Sequence, residues 1–303
     1  MVDFLRRTVC NSLRDCYQTQ LREHLKLEFD PLVSLCKICL CSLKGLPNID
    51  FRQRKTVNRV TGLTDELLYY ADEVEKRRFE DEDTPLVAIL DRLNRANSHF
   101  AQYISNHWTH ARDLPRNQGY GKFVEGGQCN FIALAVQARL VKYVRAKLDA
   151  KPSRLQKGGR PLLDYALRPF RATLTMMPYH SARDDPSIDV NMVGLLLERG
   201  ADPNQQVHLN DGESVWGLFL ISMHSTRDEV FDSWKKAWFC ASLLLVRAGT
   251  RLDYKFVHEQ FVHKTVLGMV TDVFEPEEAA TLESRMEAFS AVQKSQNSSC
   301  WPM

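Results

Sequence analysis

The sequence predicts an all-α fold in which a helical domain precedes a short stack of helix pairs. Apolar residues recur at intervals of three and four residues through most of the chain, which is the period of a helix. Several of these runs follow a capping side chain or a proline, and both types of residue favour helix starts. Two segments, Leu195–Asn204 and Leu244–Asp253, have the same pattern: an apolar run is followed by a glycine, and a polar residue follows four positions after the glycine. This shared ending indicates a repeated unit.

The composition is that of a folded protein with no strong charge bias. The chain has 303 residues, of which 44% are hydrophobic and 26% charged, and a formal net charge of +2. So small a charge favours neither a nucleic-acid nor a membrane partner. No apolar run reaches the roughly 18 residues of a membrane span. The start, Met1–Arg7, lacks the apolar core of a secretory signal, and the eight cysteines are few for this length. We therefore expect free thiols and a cytoplasmic location.

Residues 1–125 are predicted to form a helical linker domain without repeats. Asp30-Pro31 supplies an N-cap followed by a proline at the first helical position, before leucines and cysteines at helical spacing. A second helix is predicted to open at Thr61 or Thr64. A third follows the cap and proline pair Thr84-Pro85. Each helix has one apolar stripe, which is expected to be buried.

Residues 126–294 are predicted to form degenerate repeats of paired helices, after a linker rich in glycine and proline at 112–128. Four units are indicated, beginning near Asn130, Arg160, Ser214 and Lys264. The distances from Pro161 to Val215 and from Val215 to Val266 are 54 and 51 residues, against about 33 in a regular repeat of paired short helices. The surplus is assigned to inserted loops. Residues 295–303 are predicted to be a disordered tail.

The structural residues of the repeat turns are predicted to be Gly200, Asp202, Asn204, Gly249 and Asp253. Each glycine is placed just after a helix, where a left-handed backbone would strain any other residue by roughly 1–2 kcal/mol. Asp202 and Asn204 can bond to local backbone groups, and Pro203 prevents the helix from continuing. The string that ends in these residues resembles the close of an ankyrin repeat, and residues 130–135 resemble the start of its first helix. The resemblance implies a module that binds other proteins.

The chain as a whole resembles the C-terminal part of fungal NACHT-type, NOD-like receptors. Val2–Val9 is similar to the string V-x-F-L-H-R-T-V that follows the nucleotide-binding module of that family, with Arg6 in place of the histidine. A helical linker and degenerate ankyrin units then follow in the family's order. The sequence does not contain the phosphate-binding string G-x-x-x-x-G-K-[ST]. Its nearest match, Gly119–Phe123, lacks the leading glycine and the hydroxyl residue. The resemblance thus implies the sensor or interaction half, which binds no nucleotide itself.

Other motifs that could carry chemistry are each explained more simply by packing or, for the histidines at 258 and 263, by exposure on the surface. Cys36-x-x-Cys39-x-Cys41 lacks the second ligand pair that zinc needs, and its first two cysteines share a helix face with leucines. His258 and His263 are five residues apart, so they would point to different sides of a helix. The aromatic and histidine cluster at 107–110 and the tryptophans at 234 and 238 are expected to pack. We predict no metal, no cofactor and no catalytic residue.

The predicted function is a non-catalytic interaction surface formed by two turns. The candidate residues of the first turn are Asn204, Gln205, Gln206, His208, Asn210 and Asp211. Those of the second turn are Arg251, Asp253, Tyr254 and Lys255. For any single one of these residues, plain solvation of a loop is an alternative. Two other functions stay open: a regulatory or non-functional fragment of a signalling ATPase, and an enzyme of unknown type.

Overall fold

The protein is all-α in the computed structural model. The structure describes residues 30–47, 49, 54–77, 85–102, 107–110, 130–156, 160–168, 188–207, 212–228, 230–257 and 260–298. Within these ranges there are eleven α-helices and no β-strand, only an isolated antiparallel bridge between Gln206 and Ser214. The predicted fold class is therefore confirmed at the level of secondary structure.

Three helices form the N-terminal part: α1 (Pro31–Lys44), α2 (Arg54–Arg77) and α3 (Leu86–Phe100). They contact one another through their apolar faces, and α1 lies mainly against α2. The predicted cap of α1 is confirmed, because Asp30 Oδ1 accepts hydrogen bonds from the amides of Leu32 and Val33 at 2.9 and 3.1 Å. This helix ends before Gly45, as predicted.

The predicted start of the second helix is wrong, because Thr61 and Thr64 both lie inside α2. The Thr61 hydroxyl donates to the carbonyl of Val57 at 2.7 Å, one turn earlier in the same helix. Thr64 is buried and accepts a hydrogen bond from the Asn97 side chain of α3 at 3.1 Å. These threonines therefore bond within the helix and between helices. For α3, Thr84 lies outside the described residues, and the helix follows Pro85 directly.

Eight helices follow in two rows. The helices of the first row contact each other in chain order, and so do those of the second row. The first row comprises α4 (Phe131–Gln137), α6 (Leu162–Leu167), α8 (Val215–Thr226) and α10 (Val266–Val273). The second row comprises α5 (Val141–Ala150), α7 (Val190–Glu198), α9 (Asp232–Arg247) and α11 (Pro276–Ser298). The last helix extends into the stretch 295–303 that was predicted to be a tail, whereas the linker at 112–128 lies outside the described residues.

Three helices of the first row start in the same way. The side chains of Asn130, Ser214 and Thr265 accept a hydrogen bond from the amide three residues further on, at 3.2, 3.0 and 3.0 Å respectively. This bond satisfies one of the amides that have no partner in the first turn of a helix. The cap and spacing seen in the sequence therefore set the start of each of these helices.

The remaining helix of this row, α6, has no side-chain cap and contains a cluster of buried charges instead. Asp164 is fully buried, and its carboxylate accepts hydrogen bonds from Arg160 Nε at 2.5 Å and from Arg168 Nε and Nη2 at 2.7 Å each. Arg160 also stacks on the ring of Tyr165, 4.2 Å from its centroid. Burial by itself would raise the pKa of Asp164, but Arg168 and Arg160 outweigh it and lower the pKa.

The N-terminal helices are attached to the first helix pair. The Glu75 carboxylate of α2 accepts hydrogen bonds from the amides of Lys142 and Tyr143 in the first turn of α5, at 2.8 and 3.0 Å. Asp91 of α3 binds Lys147 at 2.6 Å and the Tyr143 hydroxyl at 2.9 Å. One hydrophobic core runs through both parts of the chain. The sequence left this packing open, and the structure shows that the two parts pack together.

Candidate interaction surface

The two turns predicted from the sequence have the same backbone geometry. Gly200 and Gly249 have φ angles of +89° and +90°, in the left-handed region that favours glycine. After α7, the amides of Gly200 and Ala201 bond to the carbonyls of Leu197 and Leu196 at 2.9 and 3.0 Å. After α9, the same two bonds form at 3.1 and 3.3 Å. Both turns are therefore Schellman motifs, and the predicted role of the two glycines is confirmed.

Asn204 joins the two turns to each other. Its side-chain amide donates to the carbonyl of Gly249 at 2.8 Å, and its Oδ1 accepts from the amide of Arg251 at 3.0 Å. Asp202 in turn fixes the backbone of Asn204 by accepting from its amide at 2.8 Å. The side chain of Asn204 is thus used inside the protein, although the sequence placed it among the residues that contact a partner. Its position between the turns keeps them in register.

Tyr254 also bonds inside the protein. Its hydroxyl donates to the Glu213 carboxylate and accepts from the amide of Ser214 at 2.9 Å. The other oxygen of Glu213 accepts from the amide of Val257 at 2.5 Å. Burial, and next the hydrogen bond to Glu213, raise the pKa of Tyr254 to about 12. The half-buried Tyr254 therefore ties the second turn to the start of α8, and sequence reasoning missed its partner Glu213.

Gly217 makes room for this tyrosine. A Cβ atom built at Gly217 would lie 2.5 Å from Tyr254 Cε1 and 2.8 Å from Glu213 Oε2, closer than atoms can pack. In α8, Gly217 stands where the resemblance to ankyrin repeats would place a histidine. The ring of Tyr254, from the turn after α9, fills the space beside it. Nothing in the local pattern of the sequence indicated this pairing, because the two residues lie in different elements.

Several predicted contact residues are exposed along the two turns. Gln205 and Gln206 are exposed in the first turn, and Lys255 in the second. The side chains of Arg251 and Asp253 are 66% and 77% exposed, and they approach each other to 3.5 Å. Pair energies at such exposure are small, so both groups can be engaged by a partner. His208, Asn210 and Asp211 lie outside the described residues.

The other motifs are placed in or near the core. Cys36 and Cys39 are buried in α1, as predicted, and burial raises their pKa values to about 12 and 11, so both thiols are protonated at neutral pH. Trp108 is buried and donates to Asn94 at 2.8 Å, and Trp238 is buried in α9. Among the described residues, no cluster of histidine, cysteine and acidic groups could hold a metal ion. His258 lies outside them.

Comparison with known proteins found no match to this chain. No protein-family profile, no curated protein and no solved structure is similar to it. Within the described part of the chain, no helix has the length and apolar character needed to cross a membrane. The resemblances to ankyrin repeats and to NACHT-type receptors therefore stay predictions.

Proposed function

We propose that the chain is a non-catalytic protein-interaction module of the ankyrin type, and that its two turns form the binding surface. The observation that carries this proposal is the bridge made by Asn204. One side chain bonds to the backbone of the next turn at 2.8 and 3.0 Å, so the exposed residues of both turns are held at fixed spacing. A surface that is rigid before binding loses little conformational entropy when a partner docks.

The exposed residues of this surface suit recognition of another protein. An amide side chain, a guanidinium, a carboxylate and an ammonium group lie on it, at Gln205, Arg251, Asp253 and Lys255. Val257, next to them in the chain, is 52% exposed and adds an apolar contact. Interfaces commonly combine a few anchoring residues with such a polar rim. We expect Arg251 to be the strongest anchor, since arginine is enriched among the residues that dominate binding.

Affinity capture with matched variants tests this proposal. The test variant replaces Gln205, Arg251 and Lys255 by alanine. The control variant makes the same chemical changes on exposed helix positions, at Asn191, Arg285 and Lys236. We expect a protein captured by the wild type and by the control variant to be lost from the test variant. Equal circular dichroism spectra would show that all three proteins are folded. Capture that is equal for both variants would refute a binding role for the turns.

The resemblance to NACHT-type receptors leads to a narrower form of this proposal, in which the chain is the sensor half of such a receptor in the cytoplasm. The bonds of Glu75 and Asp91 to the first helix pair support this form of the proposal. They join the N-terminal helices to the helix rows, so a displacement of the rows on binding would also move the N-terminal helices. Co-purification with a nucleotide-binding protein would support this form. A partner of another class would favour a free adaptor, and a chain that is unstable and binds no protein would indicate a non-functional fragment.

A further inference from the structure

A basic cleft lies between α1 and α3, in the N-terminal part of the protein. It is open to solvent and has a volume of about 590 Å³. One residue of α1 and five residues of α3 line it: Lys44, Arg92, Arg95, Ala96, His99 and Phe100. The five residues of α3 recur at intervals of three and four, so they lie on one face of the helix. This face is separate from the two turns described above.

The positive charge of the cleft is not compensated by the helices that form it. The sequence of α1 contains no acidic residue, and that of α3 contains only Asp91. Asp91 is already bonded to Lys147 and Tyr143 of α5. Lys44, Arg92 and Arg95 are exposed and form no ion pair with any of the described residues. Three cations thus line one cleft, and none of the described residues that line it is acidic.

We propose that this cleft binds a phosphorylated side chain of a protein partner. A phosphomonoester carries a charge of about −1.5 to −2 at pH 7, which matches a group of cations better than a single carboxylate does. Guanidinium groups can each donate two parallel hydrogen bonds to phosphate oxygens. Ala96 and the Phe100 ring give the same face an apolar part, against which the carbon atoms of the phosphorylated side chain can pack. The combination favours phosphotyrosine over phosphoserine, because a phenyl ring reaches this apolar part.

The charge distribution argues against a nucleic acid as the ligand. A nucleic-acid site follows the phosphate backbone with many cations, and the net charge of the chain is only +2. The cleft is instead a single cluster at the ends of two helices. This inference goes beyond the proposed function, since the cleft and the turns share no residue, and either can fail in experiment without the other.

Fluorescence anisotropy with the full chain tests the inference. The probe is a short, capped and labelled peptide with a central phosphotyrosine, and the same peptide with unmodified tyrosine is the comparison. We expect saturable binding of the phosphopeptide only, weakened by added salt. Replacing Arg92 and Arg95 by alanine should weaken it at least about tenfold, since each arginine supplies charge-assisted hydrogen bonds. Replacing Lys44 on the opposite wall should also weaken it.

Control variants separate a specific site from general attraction. Arg247 and Arg285 are exposed arginines on α9 and α11, so replacing both by alanine removes the same charge elsewhere. This control should bind as the wild type does, and the melting temperatures of all variants should agree. Equal weakening by the control pair would overturn the inference, as would unchanged binding after loss of Arg92 and Arg95. Competition by inorganic phosphate or by a single-stranded oligonucleotide at the concentration of the peptide would assign the cleft to a different ligand and also overturn it.

Discussion

Replacing Asp164 by asparagine should remove about 3–5 kcal/mol from the free energy of unfolding. The carboxylate is fully buried and accepts three short hydrogen bonds, one from Arg160 at 2.5 Å and two from Arg168 at 2.7 Å. A neutral amide would remove the negative charge that Asp164 supplies to two guanidinium groups, each 4% exposed. Loss of one partner from a buried ion pair costs about 3–5 kcal/mol. Folded proteins are stable by only about 5–15 kcal/mol, so the loss would be large.

Urea denaturation followed by far-ultraviolet circular dichroism measures this change. Asp253→Asn is the matched control, because that carboxylate is 77% exposed and its removal should cost less than about 0.5 kcal/mol. A third variant replaces Arg160, Asp164 and Arg168 together by apolar residues of similar volume. It should recover much of the lost stability, because no charge is left buried. The reasoning is refuted if Asp164→Asn stays within about 1 kcal/mol of the wild type.

The difference in the free energy of unfolding between the wild type and Asp164→Asn should also depend on pH. The pKa of Asp164 is lowered below its ordinary value of 3.8 in the folded protein. The stabilisation by its charge is therefore fully present above pH 3.8 and is lost as the pH falls below it. The difference in stability between the wild type and Asp164→Asn should be constant from pH 5 to pH 7 and should become smaller in more acidic solution.

Three further substitutions test other parts of the structure. Gly200→Val should cost about 1–2 kcal/mol, because φ is +89° there and no neighbouring atom would be displaced. Gly194→Ala, in α7, meets only an ordinary contact and should not lower the melting temperature, because alanine favours a helix interior over glycine. Gly217→Ala should lower the melting temperature and displace the ring of Tyr254, which a change in tyrosine fluorescence or crystallography would show; an undisturbed ring would contradict the packing described. Burial raises the pKa of Glu75 to about 7, although hydrogen bonds from two amides lower it. The stabilisation of the folded protein by protonated Glu75 is therefore fully present below pH 4.5 and is lost as the pH rises through 7. Between pH 4.5 and pH 7, urea titrations should show that the free energy of unfolding of the wild type falls relative to that of Glu75→Gln, by up to about 1.4 kcal/mol per pH unit. Equal pH dependence of the two proteins would contradict this.

Local features of the fold could be predicted from the sequence because they depend on neighbouring residues. The cap at Asp30, the starts at Asn130, Ser214 and Thr265, and the glycine turns all involve bonds within a few residues. Such bonds leave a pattern that can be recognised along the chain. The caps and turns that could be predicted are therefore those in which one short segment contains both the donor and the acceptor.

Features that join distant segments could not be predicted. The sequence predicts a helix start at Thr61 or Thr64 because threonine commonly caps helices, but the partner of Thr64 is Asn97 in another helix. The sequence predicts Tyr254 as a contact residue because it follows a turn, but Glu213 binds its hydroxyl. The bonds of Glu75 to α5 and the cation cluster of the basic cleft depend in the same way on which helices meet. A single sequence carries no direct signal of such pairings.

The contact of α4, the first helix of the first row, with the N-terminal part limits where further helix pairs could be added to the two rows. Every residue of α4 is buried, and Trp108 from the N-terminal part packs on Phe131, 5.8 Å between ring centroids. Arrays of repeats are lengthened by adding units to a free end, where the next helix pair finds an apolar face. In this protein Trp108, which follows α3, lies against α4 at Phe131. A further helix pair could not stack on this side of α4 without displacing Trp108, so growth of the two helix rows at this end would require a change in the N-terminal part.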